Sequence, residues 1–180
     1  MYDFAMTLRL LAIAILLGAA ICSTGQASRP GVPGKIKTPG GEEVVLVAHA
    51  SGSQIYVCQA GTDGKFAWTL KAPEAELRND KGAVIGRHYA GPTWKLDDGS
   101  EVTGKAAARV DSPDADSIPW LLVTVTGHTG EGALSHVRDI QRIHTKGGVA
   151  PAADTCNAAK QGSDSKSSYT ADYYFFAPAK

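Results

Sequence analysis

Neither sign of charge is in excess: 18 lysines and arginines balance 18 aspartates and glutamates over 180 residues. A neutral chain has no general attraction for nucleic acid or for an anionic membrane surface, so neither is expected as a partner. Cysteine is scarce at three residues, and no CxxC pair, HExxH helix or GxSxG nucleophile elbow occurs. Beyond the first two dozen residues there is no apolar run long enough to cross a bilayer.

What is present begins with a leader. LLAIAILLGAAI follows Arg9 and is too short to span a membrane comfortably; CSTGQA comes next, with Gly25 and Ala27 as the small residues a signal peptidase reads. Residues 1–27 are therefore expected to be a signal peptide, and the chain to be secreted or periplasmic. Ile21 before Cys22 is too bulky for a lipoprotein site, so lipid anchoring is not expected. Removal of the leader takes one cation and one anion and leaves Cys58 and Cys156. In an oxidising compartment these two either form one disulfide or lie separately buried.

Residues 28–42, beginning SRPGVPGKIKTPGG, are rich in proline and glycine without periodicity and read as a flexible arm. From residue 43 to 178 the chain reads as a single all-β domain. EVVLVAH, SQIYVCQA, KFAWTLK, AVIGRHYA, SEVTGKAAARV and PWLLVTVTG are short, β-branched and aromatic, and separated by turns. ADYYFFAP supplies a last strand, and NAAKQGSDSKSSY before it reads as a mobile polar loop. LSHVRDIQRIH suits either helix or strand; as a strand it sets His136, Arg138, Ile140, Arg142 and His144 on one face. The expected fold is an antiparallel barrel or sandwich of about nine or ten strands.

The stretch WKLDDGSEV places Asp97 and Asp98 side by side next to Trp94, as a glycosidase or calcium site might. The same grammar recurs in TDG (62–64), DKG (80–82) and DDG (97–99), which suits three-residue hairpin loops closed by a left-handed glycine. That register pairs Leu96 with Ser100, Lys95 with Glu101 and Trp94 with Val102, with unlike charges opposed on one face and apolar groups on the other. It also pairs Cys58 with Trp68, Tyr56 with Leu70, and Leu77 with Ile85. Aspartate favours such corners, and strand neighbours point to opposite faces, so the pair is expected to shape a turn.

GRHYAGPTWKLDDGSEVTG (86–104), IPWLLVTVTG (118–127), IQRIHTKGGVAPAADTC (140–156) and ADYYFF (171–176) resemble the domain of unknown function 3455 family, small exported proteins of bacteria and fungi. The resemblance runs from about Val44 to Phe176. It implies secretion, one domain and a Cys58–Cys156 disulfide, and it brings no catalytic residues. Where the family favours asparagine, this chain has His144. Some members carry a malate dehydrogenase label, which the residues do not support. TGHTGEGALS (126–135) lacks the glycine spacing of a dinucleotide loop, and no strand–helix alternation surrounds it. GSEVTGKA (99–106) has alanine where a phosphate loop needs Ser or Thr. No cofactor is expected.

His128, His136 and His144 are each eight residues apart, roughly 26 Å along a strand or 12 Å along a helix, too far to share one metal. DSPDADS (111–117) lacks the glycine and terminal glutamate of an EF-hand and reads as a solvated loop. Two features remain. The basic residues His136, Arg138, Arg142 and His144 suit an anion or an acidic partner, or a solvated face. The aromatics Tyr89, Trp94, Tyr173 and Tyr174 suit a sugar or an apolar pocket, or core packing. The candidate ligand-binding residues are thus Tyr89, Trp94, His88, Arg138 and Arg142, with no metal site and no catalytic residue assigned. The leading expectation is a binding module for a small apolar ligand, a glycan or a surface partner, and not an enzyme. A metal- or carboxylate-dependent hydrolase using His88 with acids such as Asp97, and a structural envelope component, are the alternatives.

Overall fold

The computed structural model describes residues 27–179; all of the expected leader but Ala27, Cys22 included, lies outside them. Among the described residues eight strands follow one another: β1 (Glu42–Ala60), β2 (Phe66–Arg78), β3 (Val84–Tyr89), β4 (Thr93–Leu96), β5 (Glu101–Val110), β6 (Trp120–Thr129), β7 (Asp139–Gly147) and β8 (Asp164–Pro178). Each pairs antiparallel with the next, and β8 returns to β1, closing a barrel. The all-β reading holds, and the choice between barrel and sandwich falls to the barrel. The strand number is eight because EVVLVAH and SQIYVCQA form one 19-residue strand. Gly52 carries it through at a point where a Cβ would lie 2.1 Å from the Glu74 carbonyl oxygen.

Turn chemistry sets the register. Gly64, Gly82 and Gly99 all have positive φ, at 75°, 79° and 94°, which glycine adopts without strain. Leu96 N–H donates to Ser100 O at 2.9 Å, and Lys95 faces Glu101 while Trp94 faces Val102. Cys58 faces Trp68 and Tyr56 faces Leu70, as the first hairpin requires. The second hairpin departs from expectation: a bulge pairs Leu77 with Gly86 rather than with Ile85. Ile85 is taken up elsewhere, its carbonyl accepting from Asp97 N–H at 2.9 Å. Gly86 then fits where a Cβ would meet the Lys95 carbonyl oxygen at 2.2 Å.

Alternation along the strands builds the core. Ala48, Ala50, Leu77, Trp94, Val102, Val123, Ile140, Tyr173 and Phe175 are buried in one cluster. Full burial of each larger apolar side chain is worth about 1.5–3 kcal/mol. Leu134 and Val137, both fully buried, belong to the turns preceding β7 and join this core. That corrects the strand reading of LSHVRDIQRIH, which holds only from Asp139 onward. The second part of the polar stretch before ADYYFFAP is likewise strand, because β1 is long enough to pair with β8 back to Asp164.

The proline- and glycine-rich segment ahead of β1 is held on the outside of the barrel. Ile36, at the end of a single 3-10 turn, is fully buried, and Gln141 Nε2 donates to its carbonyl at 2.6 Å. Arg29 donates to Thr38 Oγ1 at 2.8 Å and lies 5.3 Å from the Phe176 ring centroid. Phe176 is thereby buried although it faces outward. Cys58 and Cys156 form a disulfide that ties the end of β1 to the segment leading into β8.

Candidate functional site

The sharpest sequence candidate resolves into a clamp. Asp98 Oδ1 accepts from Ser100 N–H at 2.9 Å and from Ser100 Oγ–H at 2.6 Å, and Oδ2 accepts from Ala133 N–H at 2.8 Å. Ser100 Oγ in turn accepts from Leu134 N–H at 3.2 Å. The Ala133 amide and the Ser100 hydroxyl hold the Asp98 carboxyl below the usual range. Asp98 therefore fastens the segment carrying Leu134 to the β4–β5 corner. Asp97 is exposed and sits on the turn itself.

Inside the barrel, a different group converges. His88 alternates with Gly86 on β3 and points inward opposite Trp94. The two rings stack with centroids 4.3 Å apart and planes 13° from parallel, and Tyr173 meets both edge-on at 5.1 and 5.5 Å. The Thr93 carbonyl can only accept, so His88 Nδ1, 2.8 Å away, carries the proton. Burial pushes the His88 pKa down to about 3, so the imidazole is neutral near pH 7.

Arg142 joins this group from β7, opposite Tyr173 on one side and Leu121 on the other. Paired residues share a face of the sheet, so its side chain is on the inner wall. Its Nη2 donates to the Pro119 carbonyl at 2.8 Å, while Nε, although buried, has no partner within the protein. The same is true of Gln54 Nε2, Trp94 Nε1 and the hydroxyls of Tyr169 and Tyr173. Burial raises the pKa of both tyrosines, and for Tyr173 the Arg142 cation opposes the shift. Tyr173 lies close enough to Tyr169 and Arg142 for contact with each to lower its pKa, yet no hydrogen bond of good geometry joins them.

These side chains border a cavity of about 200 Å³. Leu70, Pro73, Pro92, Ala106, Leu121 and Val123 give it apolar walls; Gln54, His88, Trp94, Arg142 and Tyr173 supply its polar atoms. Leu70 is half exposed and stands at the solvent side. Beside the cavity Gly104 of β5 lets Val123 and Trp94 pack close to the strand: a Cβ there would lie 2.5 Å from Val123 Cγ1 and 3.4 Å from the Trp94 ring.

Three of the five candidate ligand residues, His88, Trp94 and Arg142, border this cavity. Tyr89 faces outward, its hydroxyl donating to Glu101 Oε2 at 2.8 Å. Arg138 is exposed near His128, His136 and the chain end at Pro178. The face expected to carry His136, Arg138, Arg142 and His144 together does not exist. His136 and Arg138 precede β7. His144 is turned outward by a bulge at φ 50°, where its Nδ1 lies 2.8 Å from Asp172 Oδ2. Positive φ is a conformation that histidine and asparagine adopt more readily than most residues. Tyr174 pairs with Gln141 and Val47 on the outer side.

Gln54 and Tyr169 were not singled out from sequence. A signal existed for Gln54, which shares the alternation of Tyr56 and Cys58 in SQIYVCQA. Among the described residues no three His, Cys, Asp or Glu side chains are gathered as a metal site requires.

No curated protein and no solved structure is detectably similar to the chain. Residues 39–177 match the model of the family described as protein of unknown function DUF3455, and the chain belongs to that family.

Proposed function

We propose that the barrel is a binding module that takes a small organic ligand into its interior. One observation carries this reading: five buried polar atoms on the inner wall have no protein partner, and four of the side chains that bear them line one cavity. Leaving such groups unpaired costs about 1–3 kcal/mol each, a cost that a bound molecule can relieve. Eight-stranded barrels are just wide enough to be filled by side chains or to hold one small ligand. An apolar cavity of about 150 Å³ takes benzene, so one of about 200 Å³ suits a single ring or short chain with a polar head, roughly ten non-hydrogen atoms.

His88 supports binding better than hydrolysis. A general base works best with a pKa near the operating pH, whereas His88 is neutral down to acidic pH and has its Nδ1 committed to Thr93. Export is part of the same reading. A disulfide fits an oxidising compartment, and among the described residues no helix is long and apolar enough to cross a membrane.

The test is a ligand-observed NMR screen with single-ring and short-chain compounds against the protein and its Ala106→Leu variant. Ala106 lines the cavity, and leucine there fills part of it. Binders to the parent protein that are lost on Ala106→Leu, with the melting temperature retained, support the reading. Binding that persists in the filled variant, or no binder at up to about 10 mM, overturns it; affinities for molecules of this size are expected in the high-micromolar to millimolar range.

A further inference from the structure

The cavity is rich in donors and poor in acidic groups. No aspartate or glutamate lines it, and Arg142 is its one charged side chain. Among the described residues no carboxylate forms an ion pair with Arg142. Its one hydrogen bond of good geometry goes to a neutral carbonyl, and apart from the nearby Tyr173 hydroxyl it has no side-chain acceptor among the described residues. Arg142 is only partly buried, with Nε the shielded part of its guanidinium; a cation drawn even partly out of water without a counter-ion favours an anion beside it.

The neighbouring atoms have the same polarity. Tyr173 is 1% exposed, Gln54 2% and Trp94 2%, and the unpartnered atom of each can donate: a hydroxyl, an amide nitrogen and an indole N–H. The Tyr169 hydroxyl, 3% exposed as a residue, lies beside Tyr173 and is also unpartnered. His88 adds no charge. Leu121, the cross-strand neighbour of Arg142, and Val123 and Ala106 beyond it offer only hydrocarbon. Such a site is complementary to a molecule with an anionic acceptor at one end and an apolar body at the other.

We propose that the ligand is a small organic carboxylic acid, bound as its carboxylate against Arg142, Tyr173 and Gln54, with its apolar part against the hydrocarbon of Leu70, Leu121 and Ala106. The planar guanidinium edge matches a carboxylate, and charge-assisted hydrogen bonds of this kind are about twice as strong as neutral ones. The apolar walls favour an organic acid over inorganic phosphate or sulfate. The inference rests on reading the cavity as a ligand site, and the experiment separates the two.

Matched acid and amide pairs, benzoate with benzamide and hexanoate with hexanamide, are titrated into the protein at pH 7 and followed by amide shifts of cavity residues. The acid of at least one pair is expected to bind about tenfold tighter than its amide. Arg142→Gln should bring acid and amide within about twofold, with the amide little changed. Tyr173→Phe, which removes only a hydroxyl, should weaken the acid by about three- to tenfold and serves if Arg142→Gln does not fold. Amides that bind as tightly as acids, or a preference that survives both substitutions, overturn the carboxylate inference and leave the cavity reading standing. If neither member of either pair binds, both readings fall.

Discussion

Asp97 and Asp98 look alike in sequence and should behave very differently when removed. Asp98→Ala deletes the acceptor of three hydrogen bonds, two from Ser100 and one from the Ala133 amide. It also frees the Ser100 hydroxyl that accepts from Leu134. Loss of a comparable capping acceptor costs about 0.5–2 kcal/mol. Asp98 is exposed, and solvent replaces part of what is lost, so about 1–1.5 kcal/mol is expected. For a domain of this size that is a fall of roughly 2–6 °C in melting temperature. Asp97→Ala should stay within about 0.5 kcal/mol of the parent, as exposed positions do. The sign of the pH dependence is fixed by the lowered Asp98 pKa. Its contribution is present above the ordinary aspartate value of 3.8 and is lost as pH falls through the lower folded value. Urea titrations of parent, Asp97→Ala and Asp98→Ala at pH 7 and about pH 2.5 measure this, and hydrogen exchange at Ala133 and Leu134 locates it. Equal losses for the two alanine variants, or unchanged exchange at Ala133 in Asp98→Ala, would refute the clamp.

Replacing both Cys58 and Cys156 by serine should lower stability by up to about 4–5 kcal/mol in the chain-entropy limit for a crosslink spanning 98 residues; a melting temperature insensitive to reduction in the parent protein would argue against a stabilising role. His49 bonds Asp172 through Nδ1 and Asp80 through Nε2, and these contacts raise its pKa above 6.5. Its contribution is full below about pH 6.5 and disappears as pH rises through the raised value. Because His49 is nearly half exposed, it should be under about 1 kcal/mol. A parent-minus-His49→Gln stability difference that grows with pH would contradict this assignment. Gly104→Val should overpack Val123 and the Trp94 ring and cost about 1–3 kcal/mol, measured by urea unfolding; an unchanged midpoint would mean that β5 is not confined there.

The parts of the fold legible in the sequence are those set by local rules. Turn glycines and cross-strand pairs fixed Trp94 against Val102 and Cys58 against Trp68, because a left-handed residue and an alternating strand leave few registers. Bulges carry no such local mark. The one beside Leu77 displaced Ile85 from its expected partner because tertiary contacts, Gly86 against Lys95 and Asp97 N–H to Ile85 O, outweigh simple continuation. Strand number was overestimated where β1 passes straight through Ala50–Gln54, since small polar residues in sequence resemble a turn. Leu134 and Val137 recur every three residues with Ile140 and Ile143, a spacing that leaves helix and strand open, and they reach the core from neither, lying in the turns before β7.

Arg142 explains why the site was only half legible. In sequence it lies in a run of basic residues, and basic residues on a strand ordinarily face water. Three local events break that run: β7 starts only at Asp139, its alternation then carries Ile140 and Arg142 inward, and the bulge after Ile143 turns His144 back out. None of these is visible without the partner strand, because inward and outward are defined by Tyr173 and Phe175 of β8. The aromatic half of the site was legible for the opposite reason. Trp94 and His88 owe their facing positions to two short hairpins within ten residues of each other, where local rules suffice. A cation drawn from a distant strand onto an aromatic wall is the feature that local patterns cannot encode, and it is also the feature on which the proposed preference for an acid rests.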